Sequence, residues 1–346
     1  MRILIYGAGA IGSDLGALLS ESGEDVQLLA RGAQLAALQA NGVTVEYQGQ
    51  PSVQVPVKAL SAEECGGRFD LIFVTLKSTQ LAAAAKSIVS LLEPDGVMVM
   101  IQNGLPWWYF DGMESAHQGA RLTCLDPDGV LQREIPLAQV VGAVIYRPVT
   151  QTAPGKIFLP KVMPPRLQIG EVDNQISARL QTIADLVSRA RLPTEVTQDI
   201  RRAKWQKLMM NLIWNPLCSI TQSSPGYIVQ SSLAADMMGL MMSEGSAVAL
   251  SVGIDLKTDP QAELERVRSN FAQQPSMLQD IRAGRPIEFD AIMNAVVEMA
   301  HLTGVPVPTL KSVAAMLDVL NSGIIRLGQG IDFQAKPYPS QSIRQS

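Results

Sequence analysis

The scarcity of cysteine and histidine argues against two kinds of site. The three cysteines, Cys65, Cys124 and Cys218, are far apart along the chain, so they predict neither a disulfide framework nor a zinc site. The two histidines, His117 and His301, are too isolated for a histidine-rich metal site. We therefore expect no metal centre, and a protein of the reducing cytoplasm.

The chain also lacks a marked excess of charge and a long apolar run. Its formal net charge is −4 over 346 residues, which gives no electrostatic case for binding nucleic acid or an anionic membrane. The apolar run at residues 237–242 is too short for a membrane span, and the first residues have no signal-peptide pattern. The composition, 47% hydrophobic and 17% charged, is typical of a globular protein with one or two domains.

The first residues follow the order of a dinucleotide-binding unit. An apolar strand pattern, the turn GAGAIG, a helix pattern and a second strand pattern succeed one another over residues 2–31. Gly7 permits a tight turn, Gly9 lets a pyrophosphate approach the backbone, and Gly12 lets the helix pack closely on the strand. The helix N-terminus would offer its free N–H groups to the phosphates, unless the turn binds nothing.

The residue after the second strand indicates which dinucleotide is bound. An acidic residue at this position usually binds the ribose 2′-hydroxyl of NAD, whereas an arginine accommodates the 2′-phosphate of NADP. Arg31 occupies the position, and the acidic residues Glu24 and Asp25 come before the strand. The sequence therefore favours NADP; the alternative is that Arg31 is a solvated loop charge.

Polar side chains follow two further strand patterns. Residues 69–77 end in Lys77, with Gln80 three positions later, and residues 96–104 carry Asn103 near their end. Ligands of open parallel sheets bind beyond the carboxyl ends of the strands, so we expect Lys77 and Asn103 at the cofactor edge. The alternative is that either residue caps a loop.

Two adjacent tryptophans follow this edge. Trp107 and Trp108 belong to the segment LPWWYFD at residues 105–111, in a chain that has four tryptophans. This segment is either a hydrophobic wall near the nicotinamide or a packed loop, and the sequence does not favour one over the other.

The stretch RAKWQKLMMNLIWNP at residues 202–216 predicts a buried helix with a polar strip. At 100° per residue, Lys207, Asn211 and Asn215 fall on one narrow strip, and apolar side chains cover the other directions. One ammonium and two carboxamides in a core are costly unless they are paired. They indicate a polar site cut into the core, an internal polar network, or a lysine that reaches solvent.

The second half of the chain is predicted to be almost entirely helical. The helix patterns lie at residues 198–215, 231–252, 262–271, 276–283, 289–302 and 309–321. Ser276 begins one of these helices and Glu288 precedes the next. Taken singly, Ser276 is explained as an N-cap and Glu288 as a carboxylate favoured by the helix dipole.

Together these patterns predict an α/β Rossmann-type dinucleotide-binding domain followed by an all-α domain. We expect the first domain at residues 1–194, the second at 195–330, and a loosely ordered polar tail at 331–346. The apolar helical half either forms the interface of a homodimer or only its own core.

Five motifs resemble those of the ketopantoate reductase (2-dehydropantoate 2-reductase) family. They are GAGAIG at residues 7–12, VTLKSTQ at 74–80, IQNG at 101–104, WQKLMMNLIWNPL at 205–217 and SMLQDIRAGRPIEFD at 276–290. They occur in the family's order and span most of the chain. The first is common to many dinucleotide enzymes, whereas the last two are much more specific.

The resemblance implies an NADP-dependent oxidoreductase that reduces a 2-oxo acid, most simply ketopantoate to pantoate in pantothenate biosynthesis. It assigns Lys77 and Asn103 to the nicotinamide end of NADP, and Arg31 and Gln80 to the 2′-phosphate. The remaining cofactor contacts would come from the glycine turn, through Gly7, Ala8, Gly9, Ala10, Ile11 and Gly12.

The same resemblance implies roles for the polar residues of the helical half. Lys207 would be the acid that protonates the ketone oxygen, and Glu288 would lie where cofactor and substrate meet. A carboxylate beside Lys207 would favour its charged form in the cleft. The substrate would be held by Asn211, Asn215 and Ser276.

Two departures from the family pattern lie close to this expected pocket. The family often has a further substrate-binding asparagine in the turn after NPL, where this chain has Pro225 in TQSSPGY. IQNG also continues into the bulky PWWYF instead of a compact turn. The alternatives are therefore a related reductase of another 2-oxo acid, or a dinucleotide-binding sensor without turnover.

Overall fold

Two β-sheets organise the N-terminal half of the molecule. The computed structural model describes residues 1–112, 115–161 and 163–331. Over these ranges the strands are β1 (Arg2–Tyr6), β2 (Asp25–Leu29), β3 (Val43–Tyr47), β4 (Val53–Val55), β5 (Lys58–Leu60), β6 (Phe69–Val74), β7 (Leu92–Met100), β8 (Val140–Tyr146), β9 (Thr150–Ala153), β10 (Lys156–Leu159), β11 (Arg166–Glu171) and β12 (Thr194–Val196).

The larger sheet has eight strands in the order β12-β11-β8-β7-β6-β1-β2-β5. Its pairs are parallel except for β8 and β11, and the smaller sheet has the order β4-β3-β10-β9. The central strands are continuous apolar runs because helices cover both faces of a parallel sheet. Ile3, Leu4 and Ile5 of β1, for example, are completely buried.

Helices cover the sheet and then make up the second half of the chain. The N-terminal half has α1 (Ala10–Glu21), α2 (Gly32–Asn41), α3 (Leu81–Ser90), α4 (Val130–Glu134) and α5 (Ala178–Arg189). The helices that follow are α6 (Ile200–Thr221), α7 (Pro225–Ile228), α8 (Ser232–Ser251), α9 (Pro260–Val267), α10 (Ser276–Arg282), α11 (Ala295–Thr303) and α12 (Pro308–Leu327). The predicted fold class, a Rossmann-type domain followed by an all-α domain, is confirmed.

The long central helix of the second half is α6, which packs against α8, α10 and α12. It continues to Thr221, beyond the predicted end near residue 215, although Pro216 lies inside it. Proline removes one N–H donor, but Leu217 and Cys218 bury apolar surface in the next turn and favour continuation. Gln222, in the left-handed conformation, then ends the helix.

Two other boundaries differ from those predicted. Helix α12 extends to Leu327 instead of residue 321, because Ile324 continues its buried face; Gly328, with φ 62°, ends it. Strand β7 ends at Met100 instead of continuing to residue 104, so Asn103 lies in the loop that follows. The division between the domains at residues 194 and 195 stays a prediction.

No helix in the described part of the chain is long and apolar enough to span a lipid bilayer. The predicted tail, residues 331–346, lies outside the described residues except for Ile331.

Arg201, at the start of α6, connects this helix to the loop that carries the tryptophans. Arg201 is 1% exposed, and its guanidinium donates to Tyr109 O at 2.7 Å, to Val172 O at 2.8 Å and also to Asp111 O. Trp108 is completely buried and lies over Gly142 of β8. These contacts favour the packed loop over the hydrophobic wall as the interpretation of the tryptophan segment.

We expect Arg201→Met to lower the free energy of unfolding by about 3 kcal/mol, because several buried carbonyls lose their donor. Urea unfolding would measure the loss. Arg189→Met is the matched control: the Arg189 side chain is 63% exposed, and its change should stay within about 0.5 kcal/mol. Equal stability of the two variants would contradict this role of Arg201.

Candidate active site

The glycine turn between β1 and α1 has the geometry that a dinucleotide requires. Gly7 has φ 111°, and its carbonyl accepts a hydrogen bond from Thr75 Oγ1 at 2.5 Å. A Cβ on Gly12 would lie 2.0 Å from Gly7 O, so close packing of helix and strand excludes any larger residue. A Cβ on Gly9 would meet no protein atom within 4 Å, so its backbone stays open to a ligand.

The first turn of α1 adds hydrogen-bond donors to this open space. The N-cap residue is Gly9, which has no side chain to accept hydrogen bonds. The amides of Ala10, Ile11 and Gly12 therefore have no side-chain acceptor at that position. Ala8 is fixed instead by the protein: its amide donates to Leu29 O at 3.1 Å. The turn is thus rigid on one side and open on the other.

Arg31 and Gln80 lie on either side of the glycine turn. Both are exposed: Arg31 follows β2, and Gln80 ends the 3-10 turn Ser78–Gln80 that follows β6. Since β2 and β6 pair with opposite edges of β1, the two residues follow strands on opposite sides of the strand that leads into the turn. The Gln80 side-chain oxygen also accepts from the Lys77 amide at 3.2 Å, which fixes the turn.

The centre of the candidate site is a hydrogen-bonded chain across the two halves of the molecule. Lys207 Nζ of α6 donates to Asn103 Oδ1 at 2.8 Å and to Ile145 O at 2.7 Å. The other end of the Asn103 amide donates to Glu288 Oε2 at 3.2 Å. Glu288 also accepts from the Ser78 amide at 3.3 Å. Asn103 therefore connects the ammonium to the carboxylate, which do not contact each other directly.

Burial shifts the proton affinity at both ends of this chain. It lowers the pKa of Lys207 to about 8, although the charge of Glu288 acts in the opposite direction. Burial also raises the pKa of Glu288, against the hydrogen bonds from Ser78 and Asn103 and the charge of Lys77. An amine with a pKa near 8 is mostly protonated at neutral pH and can give up its proton readily.

Lys77 connects the sheet edge to the helical half. Its ammonium forms an ion pair with Asp280 of α10 at 2.7 Å and donates to Pro286 O at 3.3 Å. Asp280 is buried and also pairs with Arg285 at 2.9 Å. Lys77 lies at the expected sheet edge, but its ammonium contacts protein groups of the helical half.

The polar strip on α6 continues beyond Lys207. Asn211 is partly buried, and Asn215 is 2% exposed with a side-chain nitrogen that has no hydrogen-bond partner in the described structure. Ser276, by contrast, is exposed at the first position of α10. The structure brings Lys207, Asn103 and Glu288 into one hydrogen-bonded chain and does not join Ser276 to it.

A π-helical turn fixes the loop beside this chain. The turn Asp290–Asn294 leads into α11, and its Ala291 O accepts from the Leu105 amide at 2.9 Å. A Cβ on Gly104, which has φ 80°, would lie 2.1 Å from the same oxygen. Glycine is thus required immediately after Asn103, and such turns are frequent at functional sites.

The sequence interpretation missed one residue beside the site, Lys204. It is 4% exposed, and its Nζ lies 3.2 Å from both Gln102 O and Ala143 O. Its position three residues before Lys207, which places the two amines one helical turn apart on neighbouring positions of α6, was the available signal. Over the described ranges, no group of His, Cys, Asp and Glu side chains is arranged to hold a metal ion.

Two family models match this chain over most of its length. Ketopantoate reductase PanE/ApbA matches residues 3–174, and Ketopantoate reductase PanE/ApbA C terminal matches residues 199–321. The chain is 36% identical over 318 residues to a 2-dehydropantoate 2-reductase of Mesorhizobium japonicum, covering 92% of this chain and 97% of the relative. It is 30% identical to the 2-dehydropantoate 2-reductase of Pyrococcus horikoshii, over 89% of this chain and 93% of that protein.

Solved structures agree with these sequence matches. The 2-dehydropantoate 2-reductase of Geobacter metallireducens superposes with a TM-score of 0.78 at 26% identity, covering 92% of this chain and 99% of that one. D-mandelate dehydrogenase, solved with NADH and anilino(oxo)acetate, gives a TM-score of 0.79 over 94% of this chain and all of that one. Its identity is only 22%, so that likeness concerns the fold alone. From the two family models and these relatives, the chain belongs to the ketopantoate reductase family.

Proposed function

We propose that the protein reduces a 2-oxo acid to the 2-hydroxy acid, most simply 2-dehydropantoate to pantoate with NADPH, as in pantothenate biosynthesis. Relatives that cover almost the whole chain are named for this reaction. The observation that supports the proposal most is the series of hydrogen bonds from Glu288 through Asn103 to Lys207. It lies at the sheet edge that also carries the glycine turn. It combines a proton donor with a dinucleotide-binding fold.

Residues around the glycine turn would hold the dinucleotide, which supplies the hydride when bound. The amides at the start of α1 would bind the pyrophosphate, Arg31 and Gln80 the 2′-phosphate, and Lys77 and Asn103 the nicotinamide end. The open space at Gly9 fits a pyrophosphate close to the backbone. The exposed Arg31, two residues after β2, supports NADP over NAD.

Lys207 would stabilise the negative charge that develops on the ketone oxygen, and then protonate it. Asn103 and Ile145 O aim its ammonium. Asn211, Asn215 and Ser276 would bind the acid itself. An unpaired buried amide such as that of Asn215 costs about 1–3 kcal/mol, and an oxygen of the substrate would remove that cost.

Assays of NADPH oxidation with 2-dehydropantoate and a panel of small 2-oxo acids test the proposal directly. Turnover with 2-dehydropantoate supports the main assignment. Turnover with another acid alone would favour a related reductase, a possibility raised by Pro225 and the PWWYF segment. Tight NADPH binding without turnover of any acid would favour a sensor and overturn the proposal.

We expect Lys207→Ala to lower kcat by about a hundredfold or more, because the developing alkoxide loses its proton donor. In the unchanged protein, kcat/KM should fall as pH rises through about 8, since it reports the pKa of the free enzyme and the acid must be protonated to act. Steady-state kinetics over a pH series measure both effects. Lys86→Ala, at an exposed position on α3, is the control; near-normal turnover by Lys207→Ala would refute the acid role.

Replacement of Arg31 by Asp tests the cofactor preference. The carboxylate should repel the 2′-phosphate and accept a hydrogen bond from the 2′-hydroxyl, so KM should rise about tenfold or more for NADPH and fall for NADH. Parallel kinetics with the two cofactors give the ratio. An unchanged ratio would mean that Arg31 is a solvated loop charge.

We also propose a cytoplasmic homodimer that joins through the helical half and binds no nucleic acid. Free cysteines support a reducing compartment. Exposed apolar side chains on α8 and α12, including Leu233, Leu240, Val319 and Ile325, support an interface there.

A further inference from the structure

Strands β7 and β8 separate immediately before the site. Their last paired residues are Met100 and Gly142, but β8 continues to Tyr146, held on its other edge by β11. We call the space between the two diverging segments the fork: residues 101–103 form one branch and residues 143–145 the other. Backbone carbonyls that lose a strand partner inside a protein need another donor.

The two lysines of α6 supply donors to both branches of the fork. Lys204 Nζ lies 3.2 Å from Gln102 O on one branch and 3.2 Å from Ala143 O on the other. Lys207 Nζ, one helical turn further on, bridges the same branches through Asn103 Oδ1 at 2.8 Å and Ile145 O at 2.7 Å. Lys204 thus makes the same kind of bridge one step closer to the paired strands.

Burying the amine of Lys204 costs free energy that a purely structural position would not require. It is 4% exposed and hydrogen-bonds to neutral carbonyls, without a carboxylate partner in the described structure. Burial and the neighbouring charge of Lys207 lower its pKa to about 7, against the opposite effect of Glu288. An apolar side chain would avoid this cost but would leave Gln102 O and Ala143 O without this donor.

We propose that Lys204 is a positioning residue for the reduction: its amine ties the two branches of the fork together, and so fixes the groups that aim Lys207. Asn103 directly follows Gln102, and Ile145 is two residues from Ala143, so each contact of Lys204 adjoins a contact of Lys207. The proposal rests on the proposed function, in which Lys207 is the proton donor. Lys204 acts through it.

Kinetics of Lys204→Met test the positioning role. We expect kcat to fall about tenfold or more, because a displaced Lys207 would stabilise the transition state less well. KM for NADPH and for the 2-oxo acid should stay within about twofold, because the displacement affects only the transition state. Lys86→Met, an exposed change of the same chemistry, should have no effect. Lys204→Arg keeps hydrogen-bond donors at this position, and Lys204 lines a cavity of about 20 Å³, which has room for about one further water-sized group, so this variant should recover most of kcat.

Unchanged kcat in Lys204→Met would overturn the proposal, and so would a rise in KM alone.

Hydrogen exchange of the protein without substrate provides a second measurement that needs no turnover. Peptides covering residues 101–105 and 143–147 should exchange faster in Lys204→Met, while the rest of the chain is unchanged. Uniformly faster exchange would show a general structural role and would also overturn it. Absence of turnover in the unchanged protein would count against the proposed function, whereas the exchange result would still decide the role of Lys204.

Discussion

The site depends on one geometric fact, the separation of β7 and β8 beyond Met100 and Gly142. This separation leaves backbone carbonyls inside the molecule without a strand partner. The ammonium groups of Lys204 and Lys207 on helix α6 donate hydrogen bonds to these carbonyls. The helix therefore fulfils two roles with the same side chains. It completes the hydrogen bonding of an interrupted sheet, and it brings a cation to the edge where a parallel sheet binds its ligand.

The two halves of the molecule meet through a few long-range polar contacts around this edge. Lys77 pairs with Asp280, the Ser78 amide donates to Glu288, and the Leu105 amide donates to Ala291 O. Each contact joins a loop after a strand of the sheet to the segment from α10 to the π-helical turn. The carboxylate of the hydrogen-bonded chain is thus supplied by one half and its asparagine by the other, so the site exists only where both are assembled.

Local patterns were enough to predict much of this arrangement. The glycine turn follows from three glycines in sequence context, and the polar strip on α6 follows from a spacing of four residues. The contacts of Asn103 with Lys207 and Glu288 join residues 104 and 185 positions apart, and no periodic pattern contains that information. Lys204 was missed for a related reason: its cost and its use are visible only when β7 is seen to end at Met100. Similarly, the continuation of α6 through Pro216 depends on burial against other helices, which local propensity does not report.

The charges in the fork explain why an acid is a suitable substrate. Two buried amines face the single carboxylate of Glu288, and burial lowers the pKa of both lysines. A bound 2-oxo acid would bring a second carboxylate into the same low-dielectric space. By the same electrostatics that make Glu288 favour the charged form of Lys207, the substrate would raise the proton affinity of that amine. Binding of the acid would thus favour the protonated form of Lys207 that the proposed mechanism uses, whereas a neutral ketone would not have this effect.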